Sequence, residues 1–134
     1  MTRETAGGVT AVAIVAAALA VSGAGVASAG KGERAHAAKA TRSLKADPGG
    51  DLKYNKSKLS APAGKITITM KNPSSSGSEH GLEVEGKGKE KRGKIVQPGG
   101  TSKVTITLKP GKYEYYCPVT GHKAAGMKGK LTVK

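Results

Sequence analysis

The chain has one cysteine, three histidines, no tryptophan and no phenylalanine. Each scarcity excludes something. A single cysteine cannot close a disulfide within its own chain, so the staple that small exported domains commonly use is missing. Four tyrosines are the only aromatic residues, and a small domain without Phe or Trp buries little large apolar surface, which leaves it marginally stable unless something else holds it. Acidic residues number nine against 23 lysines and arginines, a formal charge of +14. That balance favours acidic partners or an anionic cell surface, with binding that weakens as salt rises. Aromatic residues are not interleaved with the basic ones, which argues against nucleic acid. No Ser-His-Asp set, paired acid and base, or second metal cluster is visible, which argues against an independent catalytic role.

With 134 residues there is room for one domain. The apolar residues gather in one alanine-rich run, 9–21, which follows a short N-terminus with a single Arg3 and leads to Ala27-Ser28-Ala29, an A-x-A cleavage pattern. Residues 1–29 read as a secretory signal. The rival is an uncleaved anchor, but a strongly apolar part of about 13 residues has signal-peptide length. No Arg-Arg pair marks the twin-arginine route and no cysteine follows to accept a lipid. The expected location is outside the cytoplasm, periplasmic or extracellular, with association to the cell surface through the basic charge. Arg3 and Glu4 cancel, so that charge survives processing.

Residues 30–50 are rich in Lys, Arg, Ala and Gly, lack apolar periodicity and end in the turn-forming Asp47-Pro48-Gly49-Gly50. They read as a disordered basic tether, with His36 a solvated side chain. From 51 to 134 the pattern changes to short alternating segments. Ile66, Ile68 and Met70 alternate with lysines and threonines, as do Val104, Ile106 and Leu108, giving each segment one buried and one solvated face. Leu82 with Val84, Tyr113 with Tyr115, and Leu131 with Val133 supply three more strands, and residues 52–59 open the sheet. Pro62-Ala63-Gly64, Asn72-Pro73, Gln97-Pro98-Gly99-Gly100 and Pro110-Gly111 punctuate them. The expectation is an all-β, two-sheet antiparallel sandwich. The basic run 86–94, GKGKEKRGK, reads as a solvated loop, and the Asn55-Lys56-Ser57 sequon matters only in a glycosylating host.

The lone cysteine, read blandly, is a buried free thiol or an intermolecular bridge. Its neighbours suggest more, because Cys117, His122 and Met127 recur at intervals of five residues. Thiolate, imidazole and thioether form a soft donor set that selects copper. A blue-copper arrangement also needs a second imidazole, and His80 shares strand register with Leu82 and Val84, which points its ring inward at the end of the core. Met127 sits in a glycine-flanked stretch outside any alternation, unlike Met70. A bound metal would be the staple that a thin core requires.

Tyr113 to Pro118, followed by His122 and Met127 and preceded by His80, resembles the cupredoxins, the small blue copper proteins, with the C-x4-H-x4-M spacing nearest to rusticyanin-like members. The resemblance covers residues 52–134 and implies a Greek-key sandwich, one type 1 copper ion and one-electron transfer. It makes Cys117 the strong equatorial thiolate, His80 and His122 the equatorial imidazoles and Met127 the long axial ligand. His122 becomes the ligand whose edge reaches the surface. Tyr116 matches the aromatic residue beside the copper cysteine in plastocyanin-like proteins, and is equally readable as an ordinary outer-face strand residue. Many members carry Asn after the first histidine, where its side chain ties the copper loops together. Here the position is Gly81, so the tether is lost, although its N–H can still donate to sulfur. Pro118 has no N–H, which leaves Val119 as a candidate donor on the other side.

These readings predict an exported electron carrier acting as a monomer between larger redox proteins. The small surface of Ala124, Ala125 and Gly126 would admit a partner closely, and Lys123, Lys128 and Lys130 would steer an acidic one. Two alternatives remain at this level: a copper carrier that delivers the ion, and a metal-free sandwich that adheres to an anionic wall.

Overall fold

The structure, a computed structural model, describes residues 38–134. The signal at 1–29, the first part of the tether and His36 lie outside the described residues. Eight strands form two sheets: β1 (Ala40–Lys45), β2 (Lys58–Ala61), β3 (Gly64–Lys71), β4 (Glu83–Gly86), β5 (Lys89–Arg92), β6 (Thr101–Leu108), β7 (Gly111–Tyr116) and β8 (Lys128–Val133). One sheet runs β1-β3-β6 and the other β2-β8-β7-β4-β5. Among the described residues no helix is long and apolar enough to cross a membrane.

The two alternating runs pair with each other as expected, β3 antiparallel to β6 with Ile68 opposite Val104. Their inward residues Ile66, Ile68, Met70, Val104 and Leu108 are buried in one core cluster with Leu82 and with Val84, Tyr115, Leu131 and Val133 of the other sheet. Burial of each large aliphatic side chain is worth about 1.5–3 kcal/mol. Tyrosines replace the missing Phe and Trp, and each core hydroxyl finds a backbone carbonyl: Tyr54 bonds Gly81, Tyr113 bonds Lys109 and Tyr115 bonds Lys56. A buried phenol needs such a partner.

Three expectations are corrected. The tether assigned to 30–50 contains β1, whose buried Ala40 and Leu44 pack into the core; Arg42 on the same parity hides the alternation. The Asp47 turn does form, with Asp47 Oδ1 accepting from Gly49 N–H at 2.8 Å. Second, the sandwich is not wholly antiparallel, because β1 pairs in parallel with β3 and β2 with β8. Third, the run 86–94 is no loop. Lys87 and Gly88 both adopt positive φ, 49° and 71°, the geometry of a two-residue hairpin turn, and β5 follows with four exposed side chains, paired to β4 through backbone and through the Arg92–Glu83 contact.

This topology places the ends of two non-adjacent segments side by side. His80 bridges to Val96 just ahead of β4, Cys117 directly follows β7, and β4 pairs antiparallel with β7, Glu83 opposite Tyr116.

Candidate metal centre

The segment 117–127 is a stack of overlapping turns. Cys117 N–H donates to Met127 O, Met127 N–H to His122 O and His122 N–H to Val119 O, each at 3.0 Å. Gly121 and Gly126, at φ 83° and 110°, supply the left-handed backbone on either side of the turn. The five-residue spacing is therefore the length of chain that brings a histidine and a methionine back against the cysteine.

His80, Cys117 and His122 converge. The two Nδ1 atoms are 3.3 Å apart, and Cys117 Sγ lies 4.0 Å from that of His80 and 3.5 Å from that of His122. A triangle with sides 3.3, 4.0 and 3.5 Å has a circumradius of about 2.1 Å, close to the roughly 2.0–2.3 Å that a transition metal takes to imidazole and thiolate. The donor set is sized for one ion, and its softness favours copper. Met127 and His80 are fully buried, as is Cys117, while His122 is half-buried. The four residues expected from the sequence are thus arranged as a type 1 copper site.

The surroundings orient the donors. His80 Nδ1 is turned to the other donors and its Nε2 lies 3.2 Å from Ser78 Oγ; ligation through Nδ1 would put the proton on Nε2 and make this the outer-shell contact that fixes a ligand imidazole. Gly81 N–H reaches Cys117 Sγ at 3.4 Å. Burial pushes the Cys117 thiol up, with the N–H groups of Gly81 and Val119 pulling the other way. Burial, then the neighbouring His122, pulls His80 down, which keeps the imidazole neutral and able to ligate.

Two structural residues of the site escaped sequence reading. Asn72, taken as a turn residue, is fully buried and its Nδ2 donates to Ser78 O at 2.9 Å and Val96 O at 3.0 Å, while Oδ1 accepts from Ser76 Oγ at 2.5 Å. It fastens the loop that carries Ser78 and His80. Tyr54 holds Gly81 from the opposite side. Lys123 has a different position from the one expected: it bonds Glu85 at 2.8 Å and Glu114 at 3.2 Å and lies 3.6 Å over the Tyr116 ring. Its charge is answered locally, and Tyr116 in turn donates to Glu85 at 3.0 Å.

A sequence profile of the Cupredoxin-like domain matches residues 11–133. Among solved structures, dithionite-reduced auracyanin from the photosynthetic bacterium Roseiflexus castenholzii is 28% identical with a TM-score of 0.62, over 70% of this chain and 96% of that one. Auracyanin B is 25% identical with a TM-score of 0.64, over 73% and 90%. The copper nitrite reductase of Nitrosomonas europaea, 20% identical with a TM-score of 0.58 over 72% of this chain and 42% of its own, shares the fold. No curated protein sequence matches. Profile, sandwich and donor geometry agree, and the chain belongs to the cupredoxin-like family of copper-binding domains.

Proposed function

We propose that this protein is an exported type 1 copper protein that passes single electrons between larger redox proteins. One observation carries the reading: two imidazole nitrogens and one thiol sulfur from separate segments lie on a triangle that fits a single ion. Copper bound there supplies a one-electron couple. His80, Cys117 and His122, with buried Met127 beside them, would hold the ion. The fold does the rest. Buried His80, Cys117 and Met127 exclude water, and the bonds from Ser78 and Gly81 hold the donors in one arrangement, so little has to move when the charge of the centre changes.

Half-buried His122, beside exposed Ala124, Ala125 and Gly126, is the point of electron entry and exit. Ile95, the one large apolar side chain exposed among the described residues, faces Gly81 next to His80 and widens the apolar contact area. With Lys123 engaged, exposed Lys128 and Lys130 provide the charge that attracts an acidic partner. The basic excess further supports residence at an anionic cell surface, outside the cytoplasm, as a monomer. Burial of three of the four ligands, with a single methionine near them, weighs against the copper-delivery alternative.

Loading the protein with Cu(II) tests the reading. An intense visible thiolate-to-copper band and a narrow copper hyperfine splitting are expected, reversibly bleached by reductant. Cys117→Ser abolishes the band. A stoichiometrically loaded wild type without such a band refutes the proposal.

A further inference from the structure

The connection between β1 and β2 reaches the metal centre through Tyr54. This residue is buried, its backbone is bridged to Ala46, and its ring packs on Tyr115 with centroids 5.8 Å apart. Its hydroxyl donates to Gly81 O at 2.7 Å, while Gly81 N–H points at Cys117 Sγ. Glycine has the widest backbone freedom of any residue, yet here both its polar groups are fixed, one by a phenol and the other by the sulfur.

A side chain at position 81 would be crowded. A Cβ there would lie 3.1 Å from both Cγ and Cδ of Pro118 and 3.2 Å from Ile95 Cγ1. The ring of Pro118, next to the ligand cysteine, occupies the space a side chain would need. With no side chain of its own at position 81, the Gly81 peptide is fixed by another part of the chain.

We propose that Tyr54 is a positioning residue, which holds Gly81 N–H on the Cys117 sulfur and thereby tunes the reduction potential of the centre. The proposal rests on the copper reading of the site. An N–H dipole at a thiolate stabilises its negative charge and weakens its donation to the metal. The oxidised ion needs that donation more than the reduced one, so loosening the contact favours the oxidised state and lowers the potential. Tyr54 is suited to the task because it is buried and the Gly81 carbonyl is the acceptor of its hydroxyl.

Tyr54→Phe and Tyr115→Phe in the full chain form the test. Each removes one hydroxyl that latches the 46–57 connection, but only Tyr54 touches Gly81. Reduction potential, the position of the thiolate-to-copper band, and amide exchange at Gly81 with and without copper are measured. Tyr54→Phe is expected to lower the potential, shift the band and accelerate Gly81 exchange about fivefold, the factor that one ordinary hydrogen bond of about 1 kcal/mol is worth. Tyr115→Phe is expected to lower the melting temperature with band and potential unmoved. An unchanged potential and unchanged Gly81 exchange in Tyr54→Phe, or equal shifts in both variants, overturns the proposal. Should the wild type lack the band, the copper reading fails by itself, and Gly81 exchange in the metal-free chain decides the matter: protection equal to wild type in Tyr54→Phe overturns it, and lost protection upholds the positioning role.

Discussion

Asn72→Ala tests how the metal loop is held in the absence of metal. The side chain makes three hydrogen bonds, to Ser76, Ser78 and Val96, and none of its surface is exposed. Truncation would be worst if it orphaned buried carbonyls, since each such group costs about 1–3 kcal/mol. Neither is orphaned: Val96 O keeps the N–H of His80 at 3.0 Å and Ser78 O keeps Ser76 Oγ at 3.2 Å. What remains is the three lost bonds at about 1 kcal/mol each, so the expected cost is about 3 kcal/mol. Against a total stability on the order of 5–15 kcal/mol, this is a large share. For a domain of this length it lowers the melting temperature of the copper-free protein by roughly 10–25 °C.

Circular dichroism melts and urea titrations measure it, with Asn55→Ala as the control. Asn55 contributes one exposed bond, from Lys45 N–H at 2.8 Å, and its loss should cost under about 1 kcal/mol. The damage in Asn72→Ala should fall on the loop bearing Ser78 and His80, so copper should dissociate faster from it than from Asn55→Ala. Equal stability of the two variants would refute the assignment of Asn72 as the fastening of that loop.

Two further outcomes follow from other parts of the fold. Burial raises the Glu83 carboxyl, but bonds from Arg92, Glu90 and Tyr116 outweigh it and leave the group below its ordinary value; a depressed folded pKa gives stability that is present above the unfolded value of about 4.5 and lost as pH falls through the folded one. Arg92→Gln, which deletes the 2.6 Å contact with Glu83, should remove this acid limb and destabilise at neutral pH, while a superimposable pH profile would contradict the pairing. Gly129→Ala places a Cβ against the Tyr115 ring end and 2.7 Å from Ser57 O, and since Tyr115 is latched to Lys56 O at 2.6 Å it cannot swing away. The expected cost is about 1–3 kcal/mol in urea unfolding, and an unchanged midpoint would mean that the latch does not hold the ring.

How far the sequence discloses this protein depends on whether a residue acts through periodicity or through a distant partner. Alternation placed Ile66, Ile68, Met70, Val104, Ile106 and Leu108 inside, and the same parity argument turned His80 inward at the end of the core; these are local signals and the fold honours them, with Ile106 partly buried against the core. The C-x4-H-x4-M spacing is local too, because one stack of turns closes it. By contrast β1 buries only Ala40 and Leu44 and pairs in parallel with β3, a partner across a long crossover, so nothing nearby in the chain announces it. β5 has no apolar residue at all and exists because Lys87 and Gly88 turn the chain back along β4. Asn72 and Tyr54 are the sharpest cases. Each looks like an ordinary turn or loop residue, and each acquires its role only when folding delivers a carbonyl to it, from Val96 and Ser78 for one and from Gly81 for the other. The soft donor types are therefore readable from the sequence, whereas the scaffolding that holds them still is built from long-range contacts and becomes visible only in the folded chain.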